Sequence, residues 1–186
     1  MSLDLYVHSK SPRLLTTEQL ADALAVSQIG VALFDDYINY NPAPAGPLKT
    51  CIVLGWMTKS FAPLQINEIL SQTDKKRKLE ELLAREVLAC VNVNVYRAVD
   101  YYAAFGDGYL DSLAGEIDLR FLNFMKSAET VYEIQTAAGR LDSSWRFQQS
   151  LCSAIADSVD GLIEEPQLGE YFFPQDAVEY FHGFVE

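Results

Sequence analysis

Leu3, Leu5 and Val7 alternate with Asp4, Tyr6 and His8, the period-2 pattern of a strand with one buried face. Ser11-Pro12 ends it. Thr16, followed three residues later by Gln19, forms a capping-box pattern and predicts a helix with Leu20 and Leu24 on its apolar side. Gly30 closes that helix, and residues 31–34 read as a second strand. Three prolines between 39 and 48 forbid regular pairing, which makes this stretch a surface loop. Residues 50–57 are an unbroken apolar run, the pattern of a central strand.

Pro63 opens a short helix through Leu70. Another helix starts near Asp74, with Leu79, Leu82, Leu83 and Val87 at helical spacing and Glu81–Arg85 as an i,i+4 ion pair. Val91, Val93 and Val95 alternate with Asn92 and Asn94, the cleanest strand signal in the chain. A turn at 106–108 leads into a helix capped by Asp111 or Ser112 and running through Met125, with Leu113, Ile117, Phe121 and Phe124 on one face. A strand over 129–136 and a turn at Ala138-Gly139 follow. Asp142 or Ser143 then caps a helix in which Phe147, Leu151, Ile155 and Val159 recur four residues apart. Residues 161–163 predict a strand, 165–169 a turn, 170–173 a short return strand, and Pro174 opens a last helix with Val178, Phe181 and Val185 inward. Val91, Val93, Val95, Phe121, Phe124, Phe147, Leu151 and Ile155 are the expected core.

The predicted order is β-α-β-β-α-α-β-α-β-α-β-β-α. Strands separated by single helices, with hairpins among them, imply an α+β fold. The sheet is expected to be mixed but mainly antiparallel, with packed helices and ferredoxin-like βαββ units. No linker divides the chain, so 1–186 reads as a single domain with a Pro-rich excursion at 39–48.

Composition supports a packed protein. Hydrophobic residues make up 49% and charged residues 22% of the 186, which excludes disorder and collagen-like or coiled-coil repeats. The net charge of −12 is unevenly placed: residues 151–186 hold eight acidic groups and no lysine or arginine. A field of this sign repels nucleic acid and anionic membranes and attracts a basic protein partner. Cys51, Cys90 and Cys152 are odd in number and sit in apolar runs, as buried thiols of a cytoplasmic protein do. Leu3 to Val7 is strand-like, without the basic and apolar regions of a leader.

Candidate chemistry is sparse. His8 and His182 lack neighbours at zinc-ligand spacing, and no phosphate-cradling glycine pattern occurs. No metal, cofactor or catalytic set is therefore assigned. Asp35-Asp36, Glu116 with Asp118, and Glu164-Glu165 are carboxylate pairs suited to acid–base work or a hard cation. Lys75-Lys76-Arg77-Lys78 is the one basic run, placed at a helix N-terminus with Glu80, Glu81 and Glu86 near it. In the last third, aromatic and acidic residues interleave. Aromatics anchor interfaces while acids select basic partners, and this points to Glu164, Glu165, Glu170, Tyr171 and Tyr180 as a recognition surface.

The stretch Ala154-Ile155-Ala156-Asp157, then Gly161-Leu162-Ile163-Glu164-Glu165-Pro166-Gln167-Leu168-Gly169-Glu170-Tyr171-Phe172, resembles the endings of small acidic α+β immunity proteins of bacterial polymorphic toxin and type VI secretion systems. The resemblance covers the last 40 residues or so and identifies no single residue. It implies a protein that neutralises a cognate toxin by plugging or covering it. A carboxylate-dependent enzyme near Asp35-Asp36 and Glu116, and a structural or assembly subunit, are the alternatives.

Overall fold

The computed structural model describes residues 4–36, 39–59, 63–136 and 142–182, without the side chains of 63–64, 178–180 and 182. Seven strands form one sheet among the described residues: β1 (Asp4–Ser9), β2 (Ile29–Phe34), β3 (Cys51–Met57), β4 (Ala89–Arg97), β5 (Thr130–Gln135), β6 (Leu162–Glu165) and β7 (Glu170–Phe172). Their spatial order is β2-β3-β4-β5-β1-β6-β7, and every ladder is antiparallel. The helices are α1 (Thr17–Val26), α2 (Pro63–Leu70), α3 (Lys75–Ala84), α4 (Ala98–Ala103), α5 (Tyr109–Ser112), α6 (Leu119–Lys126), α7 (Asp142–Val159) and α8 (Pro174–His182). The class is α+β. The segment β1-α1-β2-β3 has the βαββ order, yet β1 lies between β5 and β6, across two strands from β3.

The alternation in β4 explains how the sheet is sided. Val91 and Val93 point to one face with Leu5 and Val7 of β1, Tyr132 and Ile134 of β5, and Ile163 of β6. Helices α1, α7 and α8 cover this face. Leu20, Leu24, Phe147, Leu151, Cys152, Ile155, Ala177 and Phe181 fill the interior with it, each apolar side chain withdrawn from water contributing about 1.5–3 kcal/mol. Thr16 caps α1 as the pattern predicts: its hydroxyl accepts from the Gln19 amide at 3.2 Å, and the Gln19 side chain accepts from the Thr16 amide at 3.0 Å. Tyr132 is wholly buried and its hydroxyl accepts from the Leu15 amide at 3.0 Å.

Among the described residues, the opposite face is covered at its two ends. At the β2–β3 end, Phe34, Ile52, Leu54 and Trp56 pack with Ile66 of α2 and Leu79 of α3. Strand β3 is thus buried on both sides, as its unbroken apolar run requires. At the β6–β7 end, Leu162, Tyr171 and Phe173 pack with Leu122's neighbours Phe121, Phe124 and Met125 of α6 and with Tyr102 of α4.

Four expectations are corrected. The single helix over 111–125 is two: Gly115 takes φ +91°, a left-handed conformation that breaks the run, and Asp118 caps α6 by accepting from the Arg120 amide at 2.7 Å. The short helix α4 directly after β4 was not anticipated. The ion pair on α3 is Arg77–Glu81 at 2.5 Å rather than Glu81–Arg85, because Arg85 already stands at the C-cap. Val95 and Phe121, expected in the core, are half-buried at the margins of their clusters.

Candidate functional site

Between the two helical caps, the second sheet face carries polar and aromatic side chains. The register brings Asn94 of β4 opposite Glu133 of β5, Glu133 opposite Tyr6 of β1, Tyr6 opposite Glu164 of β6, and Glu164 opposite Tyr171 of β7. One transverse row thus crosses five strands with a polar group from each. A second row, Asn92–Gln135–Asp4, flanks it. Strands are spaced about 4.8 Å apart. Asp4, Tyr6, Asn92, Asn94 and Gln135 keep part of their surface in solvent, and Tyr96 is 38% exposed. None of the side chains that β1, β4, β5, β6 and β7 present on this face is a lysine or arginine.

His8 stands at the covered end of this face and is completely buried. Its Nε2 is 2.7 Å from Glu164 Oε2, and its Nδ1 is 2.9 Å from the Tyr102 hydroxyl. A neutral ring with its proton on Nε2 satisfies both contacts: it donates to the carboxylate and accepts from the phenol. The Tyr171 hydroxyl donates to Glu164 Oε1 at 3.4 Å. Burial and then the Glu164 charge hold the Tyr102 phenol well above its usual pKa, so it keeps the proton it donates. With both ring nitrogens engaged and no solvent contact, His8 orders this end of the face and does not reach a ligand.

Glu133 organises the open end. Its carboxylate accepts from Tyr6 Oη at 3.2 Å, Tyr96 Oη at 2.9 Å and Asn94 Nδ2 at 2.9 Å. These are neutral donors, so the negative charge is hydrogen-bonded without being cancelled. Burial, followed by the Glu133 charge, raises the Tyr6 pKa far above its usual value, and Tyr96 moves the same way. The rings form a continuous aromatic cluster. Tyr101 contacts Tyr6 at 5.4 Å, Tyr96 at 5.9 Å and Phe105 at 5.2 Å between centroids. Phe105 stacks on Tyr109 at 4.7 Å. Phe105 is 55% and Val99 66% exposed, so the cluster surfaces along α4.

The sequence-predicted recognition residues are dispersed. Glu164 and Glu165 were expected in and beside a turn, on the surface. They lie instead in β6, each 5% exposed, Glu164 on the polar face and Glu165 on the opposite one beside Cys152. Glu170 is exposed at the start of β7, and Tyr171 is half-buried against Phe121. The Tyr180 side chain lies outside the described residues, as do those of Val178 and His182 and the whole of Val185. Asp36 accepts from Asn39 and Asn41 within its own loop, while Glu116 and Asp118 are exposed; no pair among them converges on a cavity. Arg77 of the basic run is bound by Asp74 and Glu81.

Among the described residues, no group of three His, Cys, Asp or Glu is arranged to hold a metal ion, and no helix is long and apolar enough to cross a membrane. Cavities of about 210 Å3 at the α4–α5 turn and about 220 Å3 beneath residues 43–51 do not include Glu133 or Glu164. Sequence reading missed His8, Glu133, Asn94, Tyr6 and Tyr96 as a group. The available signal was Asn92 and Asn94 alternating with valines: two amides at successive outward positions of a central strand imply a polar face over the middle of the sheet. No protein-family model, curated protein or solved structure matches the chain.

Proposed function

We propose that this chain is a cytoplasmic recognition protein that binds a basic protein partner and acts by covering it, as an immunity protein covers its toxin. One observation carries this reading: the partly solvated strip between the two helical caps, with carboxylates, amides and tyrosines and no cationic side chain of its own. A fixed negative face attracts and orients a basic surface, and rigid aromatic rings at its rim supply contact area at low entropic cost. The resemblance of residues 154–172 to immunity proteins agrees with occlusion as the mode of action. The free cysteines, Cys51 and Cys152 buried and Cys90 partly so, agree with a reducing compartment.

The test is photo-crosslinking in the host cell, with the reactive side chain placed at Tyr96 in one variant and at Glu170 in another. The reading expects a protein adduct from position 96, and recombinant adduct partner should bind the purified chain with an association rate that falls as salt rises. Adducts from position 170 alone would move the recognition surface to the C-terminal hairpin. A partner of net negative charge would overturn the proposal.

A further inference from the structure

We infer that the Glu133 end of the strip is a seat for a guanidinium, so that the partner anchors itself there through an arginine. The inference rests on the reading of this face as the recognition surface and adds the chemistry of the anchoring group.

Three features converge on Glu133. Among the described residues, its carboxylate is met by neutral donors alone, Tyr6, Tyr96 and Asn94, and it is 9% exposed. A charge this desolvated interacts more strongly with an incoming cation than a fully hydrated one does. A second carboxylate is close by. Asp4 pairs with Gln135 in the register, one step diagonal from Glu133, and its charge reaches Tyr6, which stands between them in the same face. Finally, acceptors and ring faces surround the spot. Gln135 Oε1 and the Asn92 side chain occupy the adjacent row, and the Tyr96 ring, partly exposed, leans on Tyr101.

This combination discriminates between cations. An arginine head presents five donors in a plane, is weakly hydrated, and stacks on tyrosine while it bridges carboxylate and amide oxygens. A lysine ammonium is compact, strongly hydrated and has three donors, so it matches two carboxylates and two amides on a flat sheet less well. Near the seat, Tyr96, Val99 and Phe105 expose apolar surface that a partner bringing the arginine would cover.

The experiment titrates the purified full chain with acetylated hexa-arginine amide and hexa-lysine amide. Affinity is measured by calorimetry and position by amide shifts in 15N-labelled protein. Three variants accompany the parent: Glu133→Gln, Tyr96→Ala, and Glu170→Gln as a charge-matched control on the exposed hairpin. Thermal melts establish that each is folded; Tyr96→Ala, which alters a partly exposed ring, serves if Glu133→Gln is not. Hexa-arginine is expected to bind about tenfold tighter than hexa-lysine, with shifts centred on β4 and β5. Glu133→Gln and Tyr96→Ala should each weaken it about fivefold or more, and Glu170→Gln should not. Equal affinity for the two peptides, still sensitive to Glu133, would overturn the arginine seat while leaving this face as the basic-partner surface. Equal losses from Glu133→Gln and Glu170→Gln would show diffuse charge attraction and overturn the seat. Absence of binding by both peptides would overturn the seat, and the recognition reading would then fall or stand on the crosslinking result.

Discussion

His8 shows how a single side chain decides what its neighbours can be. A buried imidazole must place both nitrogens, and here Glu164 and Tyr102 take them. Glu164 is therefore an internal structural acid, although its sequence context, Glu-Glu-Pro beside a turn, is that of a surface residue. Glu164→Lys is expected to cost about 3 kcal/mol or more, since it sets an ammonium against His8 in a buried site. Glu170→Lys, on the exposed start of β7, should change stability by no more than about 0.5 kcal/mol. Urea denaturation of the two variants checks this directly; equal midpoints would show that the His8–Glu164 pair contributes nothing to the fold.

At the scale of elements, two glycines illustrate a close-packing requirement that local pattern does not reveal. Gly55 lies in the middle of β3, and a Cβ built there would sit 2.3 Å from the Phe147 ring of α7. Gly30 of β2 similarly lies under the Trp56 indole at 2.4 Å. The rings occupy the space that a side chain would need, which sets how closely α7 approaches the sheet. Gly55→Ala is expected to destabilise by about 1–3 kcal/mol through overpacking, and pairing it with Phe147→Leu should recover part of the loss. A double variant no more stable than the single one would remove that explanation. Helix α6 depends on a different local device. Asp118→Ala deletes its N-cap and should cost about 1 kcal/mol, seen as faster hydrogen exchange at Arg120 and Phe121 while exchange in α7 is unaltered.

At the scale of the whole molecule, burial first and two carboxylates second raise the pKa of six tyrosines. Burial raises every one of Tyr6, Tyr96, Tyr101, Tyr102, Tyr109 and Tyr171, and Glu133 or Glu164 raises them further. For a phenol whose folded-state pKa exceeds its unfolded value, the neutral form contributes stability that is whole below about pH 10 and is lost as pH climbs toward the folded value. The protein should therefore resist mild alkali and then unfold cooperatively, with phenolate absorbance at 295 nm appearing together with loss of the far-ultraviolet circular dichroism. A gradual rise in absorbance well below the unfolding pH, equivalent to these six rings, would show that the cluster is open to solvent.

Much of the fold was legible because its causes are local. Period-2 alternation placed β1 and β4, an unbroken apolar run marked β3 as buried on both sides, the Thr16–Gln19 box opened α1, and i+4 spacing drew the inner face of α7. The break at Gly115 and the cap at Asp118 were also local, and the apolar spacing that continued through them concealed both. The polar face was not legible in the same way. The Asn94–Glu133 pair and the Glu164–Tyr171 pair belong to different parts of the sequence and join in a single row only because β1 inserts between β5 and β6 and sets Tyr6 between Glu133 and Glu164. Each residue taken alone is an ordinary outward strand position. Helical cover turns some of those positions into interior ones and leaves others partly solvated, so tertiary packing, and not sequence pattern, decided that Glu164 is an internal partner of His8 while Glu133 is enclosed by Tyr6, Asn94 and Tyr96. Periodicity reports which side of an element is apolar; it carries no information about what covers the other side, because that cover comes from other segments of the chain.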